Sequence, residues 1–345
     1  MTTVGMIGAG NWGSNWIRTL AGLPDVELRW VCDVSPASLE KVQRQFPHVR
    51  TTTKLEDLFN DKDVQGVVIA SIAPTHFDVA KRALQAGKHV MVEKPMTLST
   101  HDAVELNRVA AQTGRVLMVG HLLEYHPATL AIRRLIDAGE LGEVKYLYSQ
   151  RLNLGTVRTD ENAWWSLAPH DISVACRLFG ANPESVQCRG QCVLQPGIED
   201  VVFGTIQYPE GKLAHVHVSW LDPTKARRLV VIGSKRMVIF DDGQPELKLM
   251  VFDKSIDVER AVAGTMPKIS MRQGDIAVPM LDKVEPLKQE AKHFIECIQT
   301  GKRPVSDGQS GQAVVSVLEL GQRSLEAGGA VMRLPGAKQP LGLSA

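Results

Sequence analysis

The chain opens with the stretch Thr3-Val4-Gly5-Met6-Ile7-Gly8-Ala9-Gly10-Asn11-Trp12-Gly13. Its apolar run predicts a buried strand, and the glycines that follow fit the pattern G-x-G-x-x-G at the beginning of a helical segment. In this pattern the first glycine permits a tight turn, the second lets the backbone approach a pyrophosphate, and the third lets the helix pack on the strand. The helix N-terminus then faces the phosphates. The stretch therefore predicts a strand, turn and helix that bind a dinucleotide through Gly8, Gly10, Asn11, Trp12 and Gly13.

The same alternation of apolar runs and helical segments continues to about residue 120. The candidate strands are 3–7, 26–32, 66–70, 88–92 and 116–119. Continuous apolar strands separated by helices indicate βαβ units and a parallel sheet. Asp33 ends the second strand, 25 residues after Gly8. A carboxylate at this position accepts hydrogen bonds from the adenosine ribose and repels a 2′-phosphate, so we expect NAD rather than NADP as the cofactor.

After Gly120 the apolar pattern changes from continuous runs to alternation. Ala214, Val216 and Val218 fall on one face of a predicted strand, and His215 and His217 fall on the other. We therefore expect an α/β Rossmann domain over residues 1–121 and an α+β domain with an open, mainly antiparallel sheet over residues 122–330. Helices over 286–299 and 312–326 are expected to pack across both domains. We also expect an irregular connection over 255–284 and a loose tail over 331–345.

Composition excludes several classes of protein. Lys and Arg number 39 against 38 Asp and Glu, and this balance argues against a nucleic-acid or anionic-membrane surface. No apolar run approaches the length of a transmembrane helix, and the N-terminus has no basic region or cleavage site typical of a signal peptide. Five scattered cysteines indicate a reduced, cytoplasmic protein. Cys188, Cys192, His215 and His217 lack the spacing of zinc ligands, so no metal is expected.

Two further groups of residues follow predicted strands at the edge where ligands of parallel sheets bind. Glu93-Lys94-Pro95 comes directly after the strand at 88–92, and Ser71, Pro74 and His76 come after the strand at 66–70. A lysine at this edge points toward a nicotinamide. The alternatives are a solvated lysine and a simple helix cap.

The order of these motifs resembles the glucose-fructose oxidoreductase, inositol dehydrogenase and rhizopine catabolism (Gfo/Idh/MocA) family. The resemblance rests on Gly8 to Gly13, Glu93-Lys94-Pro95, Val119-Gly120-His121 and a predicted helix start at His170-Asp171, and it covers nearly the whole chain. It implies an NAD-dependent oxidoreductase with Lys94 at the sugar and the nicotinamide, and a cis peptide before Pro95. It also implies that the second domain holds the substrate and forms a homodimer or homotetramer through its sheet. The cofactor residues that it implies are Ser71, Pro74, His76, Glu93, Lys94 and His121.

A second resemblance rests on Arg151-Leu152-Asn153-Leu154-Gly155, Arg158, Glu161-Asn162, Trp164-Trp165 and Ala168-Pro169-His170-Asp171. These residues resemble a narrower subgroup, the nucleotide-sugar 3-dehydrogenases that oxidise UDP-N-acetylglucosamine or its uronate. Arginine and asparagine side chains suit a diphosphate and hydroxyl groups, and a tryptophan suits a sugar ring. The alternative for the tryptophan is a packing residue. The substrate residues that this resemblance implies are Lys94, Arg151, Asn153, Arg158, Asn162, Trp164 and His170.

The catalytic residues expected from the resemblance are Lys94 and His170. Many family members have an acid four residues before this histidine, where the chain has Ser166. A neutral imidazole is available as a base at pH 7, so we favour His170 as the proton acceptor and leave Lys94 as the alternative. The leading hypothesis is oxidation at C3 of a UDP-linked N-acetylhexosamine or its uronate, for 3-amino-sugar, polysaccharide or lipopolysaccharide precursors. The alternatives are a dehydrogenase of a free sugar or inositol, and a non-catalytic NAD-binding sensor.

Overall fold

The structure is a computed structural model that describes residues 1–259 and 268–335. The chain forms two units. The first contains Met1–Tyr125 and Val284–Ser316, and the second contains His126–Lys283 and Val317–Ala345. The chain therefore leaves the first unit after Tyr125 and returns to it at Val284.

The first unit is built on a six-stranded sheet in which every neighbouring pair of strands is parallel. The strand order is β3-β2-β1-β4-β5-β6. This confirms the predicted Rossmann architecture. Sequence patterns missed β3, because its three residues are polar and lie at the sheet edge. The strands are β1 (Thr2–Ile7), β2 (Val26–Cys32), β3 (Arg50–Thr52), β4 (Gly66–Ile69), β5 (His89–Glu93) and β6 (Leu117–Gly120).

Helices connect these strands, and the sheet is buried on both faces. Val68 of β4 packs in one apolar cluster, and its neighbours Val67 and Ile69 pack in another. All three side chains are 0% exposed, which explains the continuous apolar runs of the sequence. The helices are α1 (Asn11–Ala21), α2 (Pro36–Gln45), α3 (Leu55–Asn60), α4 (His76–Gln85) and α5 (Thr100–Thr113).

The second unit contains a nine-stranded sheet with the strand order β14-β13-β12-β11-β7-β10-β9-β8-β15. Among the strand pairs within the described residues, only β7 and β10 pair in parallel, so the expectation of a mainly antiparallel sheet is confirmed. Its elements begin with α6 (Pro127–Asp137), β7 (Val144–Leu154), α7 (Ala163–Phe179), β8 (Ser185–Gln191) and β9 (Val201–Gln207). They continue with β10 (Leu213–Ser219), β11 (Leu221–Gly233), β12 (Met237–Asp241), β13 (Leu249–Glu259), β14 (Lys268–Ala277) and, after two more helices, β15 (Met332–Arg333).

The sheet of the second unit is covered on one face. Ala214, Val216 and Val218 of β10 are 0% exposed, whereas His215 and His217 are only partly buried. The predicted alternation on this strand is therefore confirmed. The two remaining helices are α8 (Pro286–Thr300) and α9 (Gly308–Glu326), and α9 continues from the first unit into the second.

Two expectations for the second half of the chain are wrong. The stretch 255–284 was expected to be irregular, but it contains the last residues of β13 and all of β14, which pair antiparallel. Residues 278–284 form no helix or strand, as expected, and residues 260–267 lie outside the described ranges. The strands of this stretch escaped detection because β14 exposes both faces, which removes the period-two signal. The predicted loose tail begins with β15, in which Met332 pairs with Val186 of β8. Residues 336–345 lie outside the described ranges. Within those ranges, no helix combines the length and apolar character needed to span a bilayer.

Candidate active site

The glycine turn between β1 and α1 has the close contacts that its sequence predicts. A β-carbon at Gly8 would lie 2.6 Å from the carbonyl oxygen of Ala70, and one at Gly13 would lie 2.1 Å from that of Gly8. Gly8 also has a φ of +95°, a conformation that side chains disfavour. A β-carbon at Gly10 would meet nothing within 4 Å, so this position is open. The turn is thus tight where it packs and open where a ligand must approach.

Asp33 lies at the end of β2 and holds this turn. Its Oδ2 atom accepts the main-chain N–H of Ala9 at 2.6 Å, and its Oδ1 atom accepts that of Ser35 at 2.7 Å. Asp33 is only partly buried, so its carboxylate remains accessible at the turn. The carboxylate predicted to select the ribose therefore also fixes the backbone of the loop that would bind the pyrophosphate.

The N-terminus of α1 suits a phosphate group. No side chain caps this end, and the first turn contains no acidic residue. The positive end of the helix dipole is therefore not neutralised by the helix itself, and exposed Asn11 and Trp12 follow Gly10 there. Together with the open position at Gly10 and the carboxylate of Asp33, these residues fit a dinucleotide.

Lys94 follows β5 at the carboxyl edge of the parallel sheet, the edge that also carries the glycine turn after β1. The peptide between Lys94 and Pro95 is cis, as the resemblance implies. His76 is 1% exposed; its Nδ1 atom lies 2.8 Å from the carbonyl oxygen of Pro95 and its Nε2 atom 3.1 Å from that of Ser71. His76 therefore joins the Lys94 loop to the loop after β4. In that second loop the Ser71 hydroxyl lies 2.7 Å from the Thr75 hydroxyl, and Pro74 is exposed.

His121 follows β6 at the same edge and is 1% exposed. Neither ring nitrogen has a hydrogen-bond partner among the described residues. Burial, with a smaller contribution from the charge of Lys94, lowers the pKa of His121 to about 3. The imidazole is therefore neutral near pH 7, and its contact with the cofactor stays a prediction because both ring nitrogens are buried.

His170 lies inside α7, and the expectation that a helix begins there is wrong. The helix begins at Ala163, where the Asn162 side chain accepts the main-chain N–H of Trp165 at 3.2 Å, and it continues through Pro169. A proline inside a helix removes one main-chain hydrogen bond and is usually found near a helix start, which explains the wrong boundary. His170 therefore lies inside a packed helix, one residue after Pro169 and four residues after buried Ser166.

Arg151 of β7 forms an ion pair with Asp171, the residue after His170. Its Nε atom donates to Oδ2 of Asp171 at 2.7 Å, and its Nη2 atom donates to Oδ1 at 3.2 Å. The side chains are 13% and 8% exposed. This two-bond contact joins α7 to the sheet beside His170. The predicted contact of Arg151 with a substrate diphosphate stays a prediction.

Two residues expected to contact substrate are enclosed in the second unit. The Asn162 amide donates to Glu199 at 2.6 Å and to Gln322 at 2.8 Å in addition to capping α7. Trp164 is 0% exposed, and its indole N–H donates to the carbonyl oxygen of Leu318 at 3.2 Å. Both side chains are used in packing and hydrogen bonding. We therefore withdraw them from the substrate site and assign Trp164 to its alternative role as a packing residue.

The remaining predicted substrate residues are accessible. Arg158 is exposed, and its guanidinium lies 3.5 Å from Glu161. Asn153 near the end of β7 is partly buried. Arg158 and Asn153 therefore remain candidates for contact with a ligand.

Sequence reasoning missed the partners of the motif residues. The sequence places Asp171 in the motif with His170 but gives no sign of its hydrogen bond with Arg151. Trp16, whose indole N–H donates to Glu93 at 2.7 Å, was not considered. One signal was available: a tryptophan one helical turn after Trp12 predicts a neighbour on the same face of α1.

Two family models match the chain. The model of the oxidoreductase family with an NAD-binding Rossmann fold (GFO/IDH/MocA) matches residues 2–121, and that of the GFO/IDH/MocA C-terminal domain matches residues 129–239. The chain belongs to the Gfo/Idh/MocA oxidoreductase family. Its first unit therefore carries an NAD-binding domain, and the predicted family and cofactor are confirmed.

Individual relatives in this family differ in substrate. An uncharacterized oxidoreductase, YdgJ of Escherichia coli, is 33% identical over 67% of this chain and 69% of its own length. Inositol 2-dehydrogenase of Rhizobium meliloti is 26% identical over 93% of this chain and 96% of its length. UDP-N-acetylglucosamine 3-dehydrogenase of Acidithiobacillus ferrooxidans is 29% identical over 90% of this chain and 93% of its own length. A solved structure of that enzyme superimposes on this chain with a TM-score of 0.79 and 26% sequence identity. The superposition covers 94% of this chain and 98% of the chain in that structure.

Proposed function

We propose that this Gfo/Idh/MocA protein oxidises a secondary alcohol of a sugar with NAD. The leading substrate is a UDP-linked N-acetylhexosamine or its uronate, oxidised at C3. The observation that carries the proposal is the position of Lys94. It lies at the carboxyl edge of the sheet that also bears the glycine turn and Asp33, where ligands of parallel sheets bind.

In the proposed reaction the alcohol loses a proton from oxygen and a hydride from carbon, and becomes a ketone. The glycine turn and Asp33 would hold NAD, whose nicotinamide would supply the hydride acceptor. His170 takes the hydroxyl proton as the general base, and Lys94 donates a hydrogen bond to the same oxygen. The pair between Arg151 and Asp171 holds the helix that carries His170.

The similarity to UDP-N-acetylglucosamine 3-dehydrogenase supports the leading substrate, because it spans 90% of this chain and includes α7 and β7. Exposed Arg158 supports it further, since a guanidinium suits a diphosphate. The second candidate is a free sugar or inositol, which the similarity to inositol 2-dehydrogenase favours. A non-catalytic NAD sensor is the third, because a Rossmann fold alone does not establish turnover.

A panel of substrates tests the proposal. We expect NADH to form with UDP-N-acetylglucosamine or its uronate, and to form poorly with N-acetylglucosamine, free glucuronate and myo-inositol. Comparable turnover of a free sugar would favour the second candidate. Tight NAD binding without turnover of any member would favour the sensor.

The two arginines give a separate prediction about the diphosphate. If Arg158 contacts it, Arg158→Ala weakens UDP-sugar binding by about 1.5 to 3 kcal/mol and changes stability little, because the residue is exposed. Arg151→Ala instead leaves buried Asp171 without its partner, and we expect a loss of about 3 kcal/mol or more in the free energy of unfolding. Calorimetric titration with UDP and thermal unfolding measure the two effects. Unchanged UDP affinity in Arg158→Ala would remove Arg158 from the site.

We also propose that the protein self-associates through the open face of the nine-stranded sheet. Tyr146 and Phe203 are 43% and 44% exposed there, and Phe203 stacks on His217 with ring centroids 4.3 Å apart. Partly apolar faces of this kind are commonly covered in oligomers. Light scattering should give at least twice 37.8 kDa, and Phe203→Asp should lower this mass. A monomer at micromolar concentration would contradict the proposal.

A further inference from the structure

Glu93 is a buried carboxylate that joins three parts of the first unit. It is 7% exposed, and its Oε1 atom accepts the indole N–H of Trp12 and, at 2.7 Å, the indole N–H of Trp16. Its Oε2 atom accepts the main-chain N–H of Lys94 at 3.2 Å. One carboxylate therefore connects the glycine turn, the body of α1 and the residue after β5.

The neighbouring strand β6 leaves space for the carboxylate of Glu93 at Gly120. Glu93 pairs with Gly120 across β5 and β6. A β-carbon at Gly120 would lie 2.8 Å from the carboxyl carbon of Glu93. The glycine is therefore required by the close approach of the carboxylate, which is confined between β6 and the two indoles.

Burial has the largest effect on the carboxyl of Glu93 and raises its pKa above the usual range. The hydrogen bonds from Trp16 and Trp12 and the charge of Lys94 act in the opposite direction and offset part of this effect. Nearby Glu290 is 0% exposed and has no hydrogen-bond partner among the described residues. Burial, followed by the charges of Glu93 and Glu124, raises the pKa of Glu290 well above its usual range. The three N–H donors are all directed at the other carboxylate, that of Glu93.

The two tryptophans differ in how far their side-chain positions depend on the hydrogen bond to Glu93. Trp16 is 0% exposed and would be held by packing alone. Trp12 is 40% exposed and lies in the turn between Gly10 and Gly13, so its ring depends on the hydrogen bond for a fixed position. Of the two tryptophans bonded to Glu93, only Trp12 therefore lies where a dinucleotide would approach the glycine turn.

We propose that Glu93 is a positioning residue that fixes the indole of Trp12 in the dinucleotide turn and the main chain of Lys94 at the same time. The strength of NAD binding then depends on the bond between Glu93 and Trp12. This changes the expectation that Glu93 itself contacts the cofactor, because both of its oxygens accept hydrogen bonds from the protein. The inference goes beyond the proposed function, since it concerns the cofactor site and not the sugar.

Two matched substitutions test the proposal, because each removes one indole N–H from the same carboxylate oxygen and keeps an aromatic ring. Calorimetric titration with NAD measures affinity, and thermal unfolding measures stability. We expect Trp12→Phe to weaken NAD binding about tenfold, because the hydrogen bond that fixes this side chain in the site is lost. Trp16→Phe should lower the unfolding temperature and leave NAD affinity within about twofold, because packing still holds its ring.

A third variant tests the carboxylate directly. In Glu93→Gln one amide oxygen can accept both indoles, but the amide N–H₂ then faces the N–H of Lys94. We expect NAD binding to weaken about tenfold or more and NAD to quench indole fluorescence less. If Trp12→Phe and Glu93→Gln both keep NAD affinity within twofold while stability falls, the bonds are structural and the proposal is wrong. These measurements need no sugar, so normal NAD binding without turnover would contradict the proposed function and not this inference.

Discussion

Replacing His170 by Ala should lower the catalytic rate by about 10² to 10⁴, the usual contribution of a general base. NAD affinity should not change, because the NAD-binding family model covers residues 2–121 and His170 lies outside it. The acid limb of the pH–rate profile should also disappear, since protonation of the imidazole is what removes the base at low pH. Steady-state kinetics of NADH formation across pH, together with calorimetric titration with NAD, measures these effects.

His101 provides a matched control for this substitution. Its side chain is 90% exposed on α5, so His101→Ala should leave the rate and the pH profile as they are. The competing hypothesis assigns the proton to Lys94. If His170→Ala keeps near-normal turnover and the same acid limb while Lys94→Ala is inactive, Lys94 is the base and our assignment is wrong.

The structure adds a physical reason to expect His170 to act without the acid that many family members carry four residues earlier. Here that position is Ser166, which is buried on α7. A carboxylate is present one residue after the histidine instead, but Asp171 is paired with Arg151 through two hydrogen bonds. The ion pair holds the helix that carries His170 against the sheet. It therefore positions the imidazole, whereas an acid beside the imidazole would act on it through its charge.

The fold could be predicted where burial imposes a pattern on the sequence. Strands such as β4 are enclosed on both faces and appear as apolar runs, and β10 alternates because one of its faces is covered. The strands that escaped detection lack both constraints. β3 is a short polar strand at a sheet edge, and β14 exposes its two faces. No selection for apolar residues at every second position acts on such strands.

The site could be predicted where the requirement is local. Gly8 and Gly13 are recognisable because the turn itself leaves no space for a β-carbon. Contacts between distant parts of the chain were not accessible in this way. The partner of Trp12 is 81 residues away in the sequence, and that of Arg151 is 20 residues away. Trp164 was placed at the substrate because residue type does not reveal whether a side chain points into the core.

Asp33 should make this protein prefer NAD to NADP by about tenfold or more, because a 2′-phosphate would meet an uncompensated carboxylate. The structure gives this residue a second role, since its two oxygens hold the main-chain N–H groups of Ala9 and Ser35. Charge and turn geometry can therefore be separated by substitution. Asp33→Asn keeps one acceptor oxygen and loses the charge, so NADP discrimination should fall while much of the NAD affinity remains. Asp33→Ala loses both, so NAD affinity should fall as well.

Calorimetric titration of each variant with NAD and NADP measures the two contributions, and kcat/KM for the two cofactors gives the preference in turnover. Asp25→Asn is a matched control, because Asp25 is exposed immediately before β2, at the end of the strand opposite to Asp33. It should leave both affinities unchanged. Equal catalytic efficiency with NAD and NADP in the unmodified protein would contradict the assignment of Asp33 to the ribose. A loss of NAD affinity in Asp33→Asn as large as that in Asp33→Ala would show that the charge of Asp33 is needed to hold the turn, because the remaining amide oxygen would then be insufficient.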